Sequence, residues 1–342
     1  MKIGKREISA WKVIAAVVAV LITLGVAVAW PYAISGSASE GTIKIKRGTS
    51  TTAVCDSLQQ VDVTLGKRVA TLLGLLGVDM SDYQGAYRVN KGDTPLLVAR
   101  RLRNGQTSPI RFTFNNVRTR DQWAKRVGDK FLMSSDEMLA ALNDTAVCAK
   151  YGFSVDEITA MLQPDTYELA WDLTPEQLLD KMHGYYEKFW TAERVDKAKS
   201  LGLTPAQVAT VASIVEEETT QADERDKVAR LYLNRIAAGM PLQADPTVKF
   251  ALGDFSIKRI TIAMTRTQSP YNTYVNPGLP PGPIRLPEKA TLDAVLNAPQ
   301  HDYLYMCAKE DLSEYHNFAH DYATHLENAR RYQAELDRRG IK

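Results

Sequence analysis

The sequence predicts an α+β protein held on a single N-terminal transmembrane helix. A small α+β module follows the helix, and a mixed helical and β domain carries the chemistry. Three observations predict this. Residues 13–30 form an uncharged apolar run, strand-like alternations interleave with helical periodicities beyond it, and 342 residues with 45% hydrophobic and 24% charged side chains suffice for more than one core. The expected organisation is a cytoplasmic tail over 1–12, an anchor over 13–34, a small module over 42–110 and a larger domain over 111–342, whose core motifs lie in 204–328. A formal net charge of +2 gives no electrostatic reason to expect a nucleic-acid partner.

The apolar run reads VIAAVVAVLITLGVAVAW. As a helix it is about 27 Å long, close to the hydrocarbon thickness of a bilayer. Lys2, Lys5, Arg6 and Lys12 precede it against one acid, Glu7, so the positive-inside rule keeps the N-terminus cytoplasmic and exports the rest. Trp11, Trp30 and Tyr32 stand where interfacial anchors belong. The alternative is a cleaved signal peptide, since Ala27-Val28-Ala29 resembles a cleavage site, but an 18-residue apolar core exceeds the usual signal core. Cys55, Cys148 and Cys307 are odd in number and show no C-x-x-C spacing, which excludes a disulfide scaffold and a zinc ribbon.

A polar linker over residues 35–41 leaves the apolar run. Thr42 to Lys46 alternate as a half-buried strand does, Arg47-Gly48-Thr49-Ser50 forms a turn, and Val54, Leu58 and Val61 mark a helix. A second such unit has Tyr87-Arg88-Val89, the turn Lys91-Gly92-Asp93-Thr94, and a helix from Leu96 to Leu102. This pattern is similar to the LysM type of glycan-binding module. A Gly-Asp-Thr turn is also ordinary helix-cap chemistry, so a structural platform is the alternative. Ile110 to Phe114 is a strand, and residues 120–186 read as several helices interrupted at Gln163-Pro164-Asp165-Thr166-Tyr167.

Thr204, Pro205 and Gln207 spell a helix start with a capping box. At about 100° per residue, Val208, Val211, Ile214 and Val215 form one apolar stripe, and Glu218 falls at its centre. Glu216 and Glu217 fall on the other side, where water is expected. A carboxyl group aimed inward is costly to ionise, and a glutamic acid held neutral near pH 7 is what a general acid in glycosidic-bond cleavage requires. The plainer alternatives are that Glu218 pairs with Arg225 or that the helix ends before it. A second helix, capped at Asp223 and closed by Gly239, would set Glu218 near a helix corner.

The blocks QPDTYEL, ASIVEEET, ERDKVARLYLNRIAAGMPLQADPTVKFALG, SPYNTYVNPGLPPGPI and YLYMCAKED…YHNFAHDYATHLENARRY closely resemble the YceG-like family, the membrane-bound endolytic murein transglycosylases. The resemblance is strongest from Ala212 to His325. It implies a single-pass inner-membrane protein whose periplasmic domain cuts peptidoglycan glycan strands, with cell-wall synthases of the elongation machinery as possible partners and no cofactor. It also implies that the last glutamate of the block, Glu218, is catalytic. Glu218 would protonate the oxygen between N-acetylmuramic acid and N-acetylglucosamine. As carboxylate it would then take the proton of the C6 hydroxyl that attacks C1, leaving a 1,6-anhydromuramyl end.

Other blocks suggest subsites. Gln243 and Asp245 flank a proline-fixed turn suited to sugar hydroxyls and acetamido groups, Tyr271-Asn272-Thr273-Tyr274 offers an amide between aromatic faces, and NPGLPPGPI is a rigid wall. Each has a plain structural alternative. Asp245 as a second acid would make a lysozyme-type hydrolase instead, and a non-catalytic glycan-binding protein is a further class. His316, His320 and His325 invite a metal, but there is no H-E-x-x-H, and Asn317-Phe318 suits a strand. In the family pattern His325 packs or hydrogen-bonds near the cleft. Departures from that pattern are Glu217, where many relatives carry a basic residue, Gln163, where an aromatic is commoner, and Arg285-Leu286-Pro287. The extra acid at 217 is expected to raise the pKa of Glu218.

Overall fold

A computed structural model describes residues 10–340; the expected cytoplasmic tail lies outside these residues except for its last three. The architecture is α+β, and the chain divides into two compact units, one of residues 10–111 with 168–172 and one of 112–167 with 173–340.

The first unit begins with α1 (Ala10–Ala33), long and apolar enough to span a bilayer, with no residue of its apolar window buried. Then come β1 (Gly41–Ile45), α2 (Thr51–Val61), α3 (Val63–Leu75), β2 (Gly85–Val89) and α4 (Pro95–Arg103). The two strand–turn–helix stretches are not repeats. Strands β1 and β2 pair antiparallel, with Ile43 opposite Tyr87, and two helices lie between them in the chain. Helix α3 escapes the sequence pattern because two glycines dilute its periodicity. Gly66 is where it crosses α2, since a Cβ there would stand 2.6 Å from the Gln59 nitrogen. Asp62 joins the helices, accepting from Leu65 N at 2.9 Å to cap α3 and from Ala38 N at 2.9 Å to hold the linker. Ile43, Ile45, Val54, Leu58, Leu65, Val69, Val98 and Leu102 fill the core. In the Gly-Asp-Thr turn Thr94 caps α4, while Asp93 is buried and accepts from Asn90 N at 2.8 Å and Arg101 Nη1 at 2.7 Å.

Strand β3 (Ile110–Phe114) leads into the second unit, where Phe112 and Phe114 pack on Trp123 and the hydroxyls of Thr113 and Thr166 bond at 2.8 Å. Thr166 belongs to β4 (Asp165–Leu169), which forms at the interruption expected there. Around them run α5 (Arg120–Lys130), α6 (Ser135–Asn143), α7 (Thr145–Lys150), α8 (Pro175–Phe189) and α9 (Ala192–Ser200).

The centre of this unit is α10 (Pro205–Glu218), packed against α11 (Arg225–Ala237), α12 (Asp245–Leu252) and α13 (Lys289–Leu296). The capping box of Thr204 and Gln207 forms as expected. Every residue from Val208 to Glu216 is buried, so the helix has no wet face. The unit closes with a hairpin of β5 (Tyr305–Ala308) and β6 (His316–Ala319), in which Ala308 faces His316, and with α14 (Tyr322–Arg338). Helix α11 ends with Gly239 in the left-handed region at φ 64°, but its N-cap is Glu224, not Asp223, whose carboxylate instead accepts from the Tyr315 hydroxyl at 3.0 Å.

Candidate active site

Glu218 is the last residue of α10, and its carboxyl group lines a cavity of about 350 Å³. The Tyr232 hydroxyl, from the facing helix α11, donates to Glu218 Oε1 at 2.7 Å. Burial pushes the Glu218 pKa up to about 7; the Tyr232 bond pulls it down, and the charge of Asp245 adds to the rise. The carboxyl group thus carries a proton over much of the neutral range and gives it up at modest cost. Arg225 is not its partner, for that guanidinium bonds Glu288 Oε2 and Thr291 Oγ1, each at 3.0 Å.

The expectation that Glu216 and Glu217 face water is overturned. With α10 enclosed all round, the wheel has no solvent side to assign. Glu216 accepts from Glu288 N and Thr291 Oγ1, both at 2.8 Å, and pairs with Arg285 Nη2 at 3.0 Å. Glu217 takes Arg118 Nε at 2.9 Å and Arg285 Nη1 at 2.9 Å. These two acids fasten the end of α10. Glu217 is therefore not the neighbour that raises Glu218; Asp245 is. Arg285 belongs to this fastening.

The turn before α12 forms one wall. Gln243 sits at φ 51°, an uncommon conformation for a side-chain-bearing residue, and lines the cavity. It is held there by Thr273 O, which accepts from Gln243 N at 3.2 Å, while Thr273 Oγ1 accepts from Ala244 N at 3.0 Å. Asp245 and Tyr274 also line the cavity and bond each other at 2.6 Å through the phenol. Two other expected subsite residues lie elsewhere. Asn272 is fully buried, donating to Thr265 O at 3.0 Å and Thr267 O at 2.8 Å and accepting from Tyr274 N at 3.0 Å, so it staples its own loop. Tyr271 bonds Asp156 at 3.1 Å and packs on Phe250, in a separate hollow.

The hairpin and α14 supply the opposite wall. His316 lines the cavity with Nδ1 2.7 Å from Glu224 Oε2, and its backbone N donates to Glu224 Oε1 at 2.8 Å. His325 also lines the cavity, its ring stacked 5.4 Å from Tyr305. His320 is an exposed side chain beside Asp321. Among the described residues no group of three or more His, Cys, Asp or Glu is placed to hold a metal, and Cys55, Cys148 and Cys307 are free thiols.

The sequence reading missed Tyr232, Arg235, Tyr305 and Tyr322, all of which line the cavity. Tyr232 and Arg235 are three apart on α11, a spacing that puts both on one face, but only the partner helix shows that this face meets Glu218. A carboxyl group able to carry a proton near pH 7, beside tyrosine rings and the Gln243 amide, suits cleavage of a glycosidic bond.

The model of the YceG-like family matches residues 43–331. An endolytic murein transglycosylase of Bacillus subtilis is 28% identical over 290 residues, covering 79% of this chain and 79% of that protein. One of Streptococcus pneumoniae serotype 2 is 27% identical over 74% of this chain, which spans only 52% of that relative's length. A crystal structure described as a YceG-like protein of Listeria monocytogenes superposes with a TM-score of 0.58 at 24% identity, over 85% of this chain and 99% of that one, and shares the fold.

Proposed function

The chain belongs to the YceG-like family, and from that premise we propose that it is a membrane-anchored endolytic lytic transglycosylase that cuts the β-1,4 bond between N-acetylmuramic acid and N-acetylglucosamine. The observation that carries the reading is Glu218, a carboxyl group whose pKa stands near 7 in a cavity of sugar-sized dimensions. Glu218 donates its proton to the departing oxygen. The C6 arm of a β-linked muramoyl ring lies on the same face as that oxygen. The carboxylate left behind therefore accepts the C6 hydroxyl proton as O6 closes on C1, and no water is consumed. Gln243, Asp245 and Tyr274 hold sugar hydroxyls and acetamido groups along the cavity; Tyr271 and Asn272 act through the shape of their loop.

Residues 13–34 serve as a single-pass anchor in the inner membrane with the N-terminus cytoplasmic. Residues 42–110 form a LysM-like module, read as a platform because Asp93 and Thr94 are engaged inside it. Residues 111–342 are the periplasmic catalytic domain, acting on nascent strands beside the synthases that make them. Asp245 lines the same cavity and favours a second reading, a hydrolase with two acids. Product mass from purified glycan strands separates the two: anhydro ends are lighter by one water than reducing ends. Full activity in Glu218→Gln would sink both.

A further inference from the structure

Among the described residues, Arg235 is a buried cation with no carboxylate at ion-pair distance. It is 8% exposed; Nη1 donates to Leu242 O at 2.7 Å, Nη2 reaches Gln243 Oε1 at 3.3 Å, and Nε has no partner. Arg118, Arg194, Arg225, Arg285 and Arg331 of the same unit each meet a carboxylate. Arg230 is equally buried, but both its Nε and Nη2 donate to carbonyls, those of Pro299 and Ala298, and it lies away from the cavity. A buried charge left unpaired is costly, and the cost is relieved when something outside the chain brings the opposite sign.

Arg235 lines the Glu218 cavity. Its guanidinium carbon lies 5.5 Å from the Tyr305 ring centroid, and His325 stacks on that same ring. Burial and the Arg235 charge push the His325 pKa down, so the imidazole adds no second cation at neutral pH. Glu218 is protonated over part of that range, which limits its repulsion of an incoming anion.

We propose that Arg235 is a substrate-carboxylate site, binding a carboxylate carried on the lactyl ether of the muramoyl residue. That carboxylate is either the lactyl group's own or one on the attached peptide. The guanidinium presents a planar donor array that matches a carboxylate. The proposal rests on the glycan reading above and narrows it, because a polymer of N-acetylglucosamine alone offers no such group.

The test uses the full chain in detergent and two strand preparations, one stripped of peptides and one bearing them. Each is assayed untreated and after its carboxylates are coupled to methylamine. Wild type should show a KM at least tenfold higher on the treated form of whichever strand supplies the carboxylate, with kcat changed less than threefold. Arg235→Gln should show the high KM on both forms, and Arg235→Lys should recover part of the preference. Equal KM on treated and untreated forms of both strands in wild type overturns the proposal, as does a preference retained by Arg235→Gln. Should Arg235→Gln not fold, the wild-type ratio decides alone. Should wild type yield no anhydro ends, the transglycosylase reading fails. Co-sedimentation of strands with Glu218→Gln protein then decides the carboxylate preference, equal binding of both forms overturning it.

Discussion

Tyr232 donates to Glu218 Oε1 across 2.7 Å, a hydrogen bond that favours the ionised form of a carboxyl group otherwise pressed toward neutrality by burial. The pKa of this group is a balance between these two influences, the charge on Asp245 that raises it and the charges of His316 and Lys249 that lower it; the first three can be changed separately.

Replacing Tyr232 by Phe removes the donor and keeps the ring. The Glu218 pKa should rise above about 7, by roughly half to one unit for a bond worth about 0.5–1.5 kcal/mol. The alkaline limb of the kcat/KM profile should move up in pH; a limb that stays put or moves down contradicts the assignment.

Asp245→Asn should shift the same limb the other way, because the charge that raises Glu218 is gone. The transglycosylase reading expects a higher KM but more than a tenth of kcat. A loss of about a thousandfold in kcat would instead mark Asp245 as a second catalytic acid.

Glu218→Gln should lower kcat by about 10²–10⁴, the usual range for a general acid–base group. It should also change stability with pH. The folded-state pKa, about 7, lies above the ordinary 4.5, so the native protein binds the proton more tightly and loses stability as pH rises between those values. Glutamine has no proton to lose. The variant should therefore gain on wild type from pH 4.5 to pH 7, by up to about 3 kcal/mol. Thermal melts across that range check the sign, and a gain only at acid pH would refute it.

Arg285→Ala strips the buried Glu216 of its cation, in a pair whose side chains are 11% and 3% exposed. A loss of about 3–5 kcal/mol is expected in urea unfolding. Glu217→Ala should cost less, since that side chain is more exposed than that of Glu216.

Much of this was legible in the chain because it is local. The capping box of Thr204 and Gln207, the strand at Ile110, and the apolar run of α1 depend on near neighbours alone. Glu218 was legible for a weaker reason, as its place on the wheel is right although the wheel's premise of a wet opposite face fails for a helix buried all round. Glu216 and Glu217 were misread on that account, since the arginines that Glu217 meets come from 68 and 99 residues away in the chain, and Arg285 serves Glu216 as well. Asn272 and Tyr274 sit two apart with polar groups of the same promise. Only the fold shows that one amide closes its own loop while the phenol reaches the cavity.

Helix α10 ends at Glu218 itself, and that has an electrostatic consequence. The aligned peptide dipoles of a helix leave roughly half a negative charge at its C-terminus, worth about 0.3–1 kcal/mol to a neighbouring ion. At Glu218 this end opposes an anion and helps retain the proton before the bond breaks. On the proposed transglycosylase reading, the same end would attract a sugar ring that turns cationic, so one helix terminus would both keep the carboxyl group protonated and stabilise the ion that donation creates.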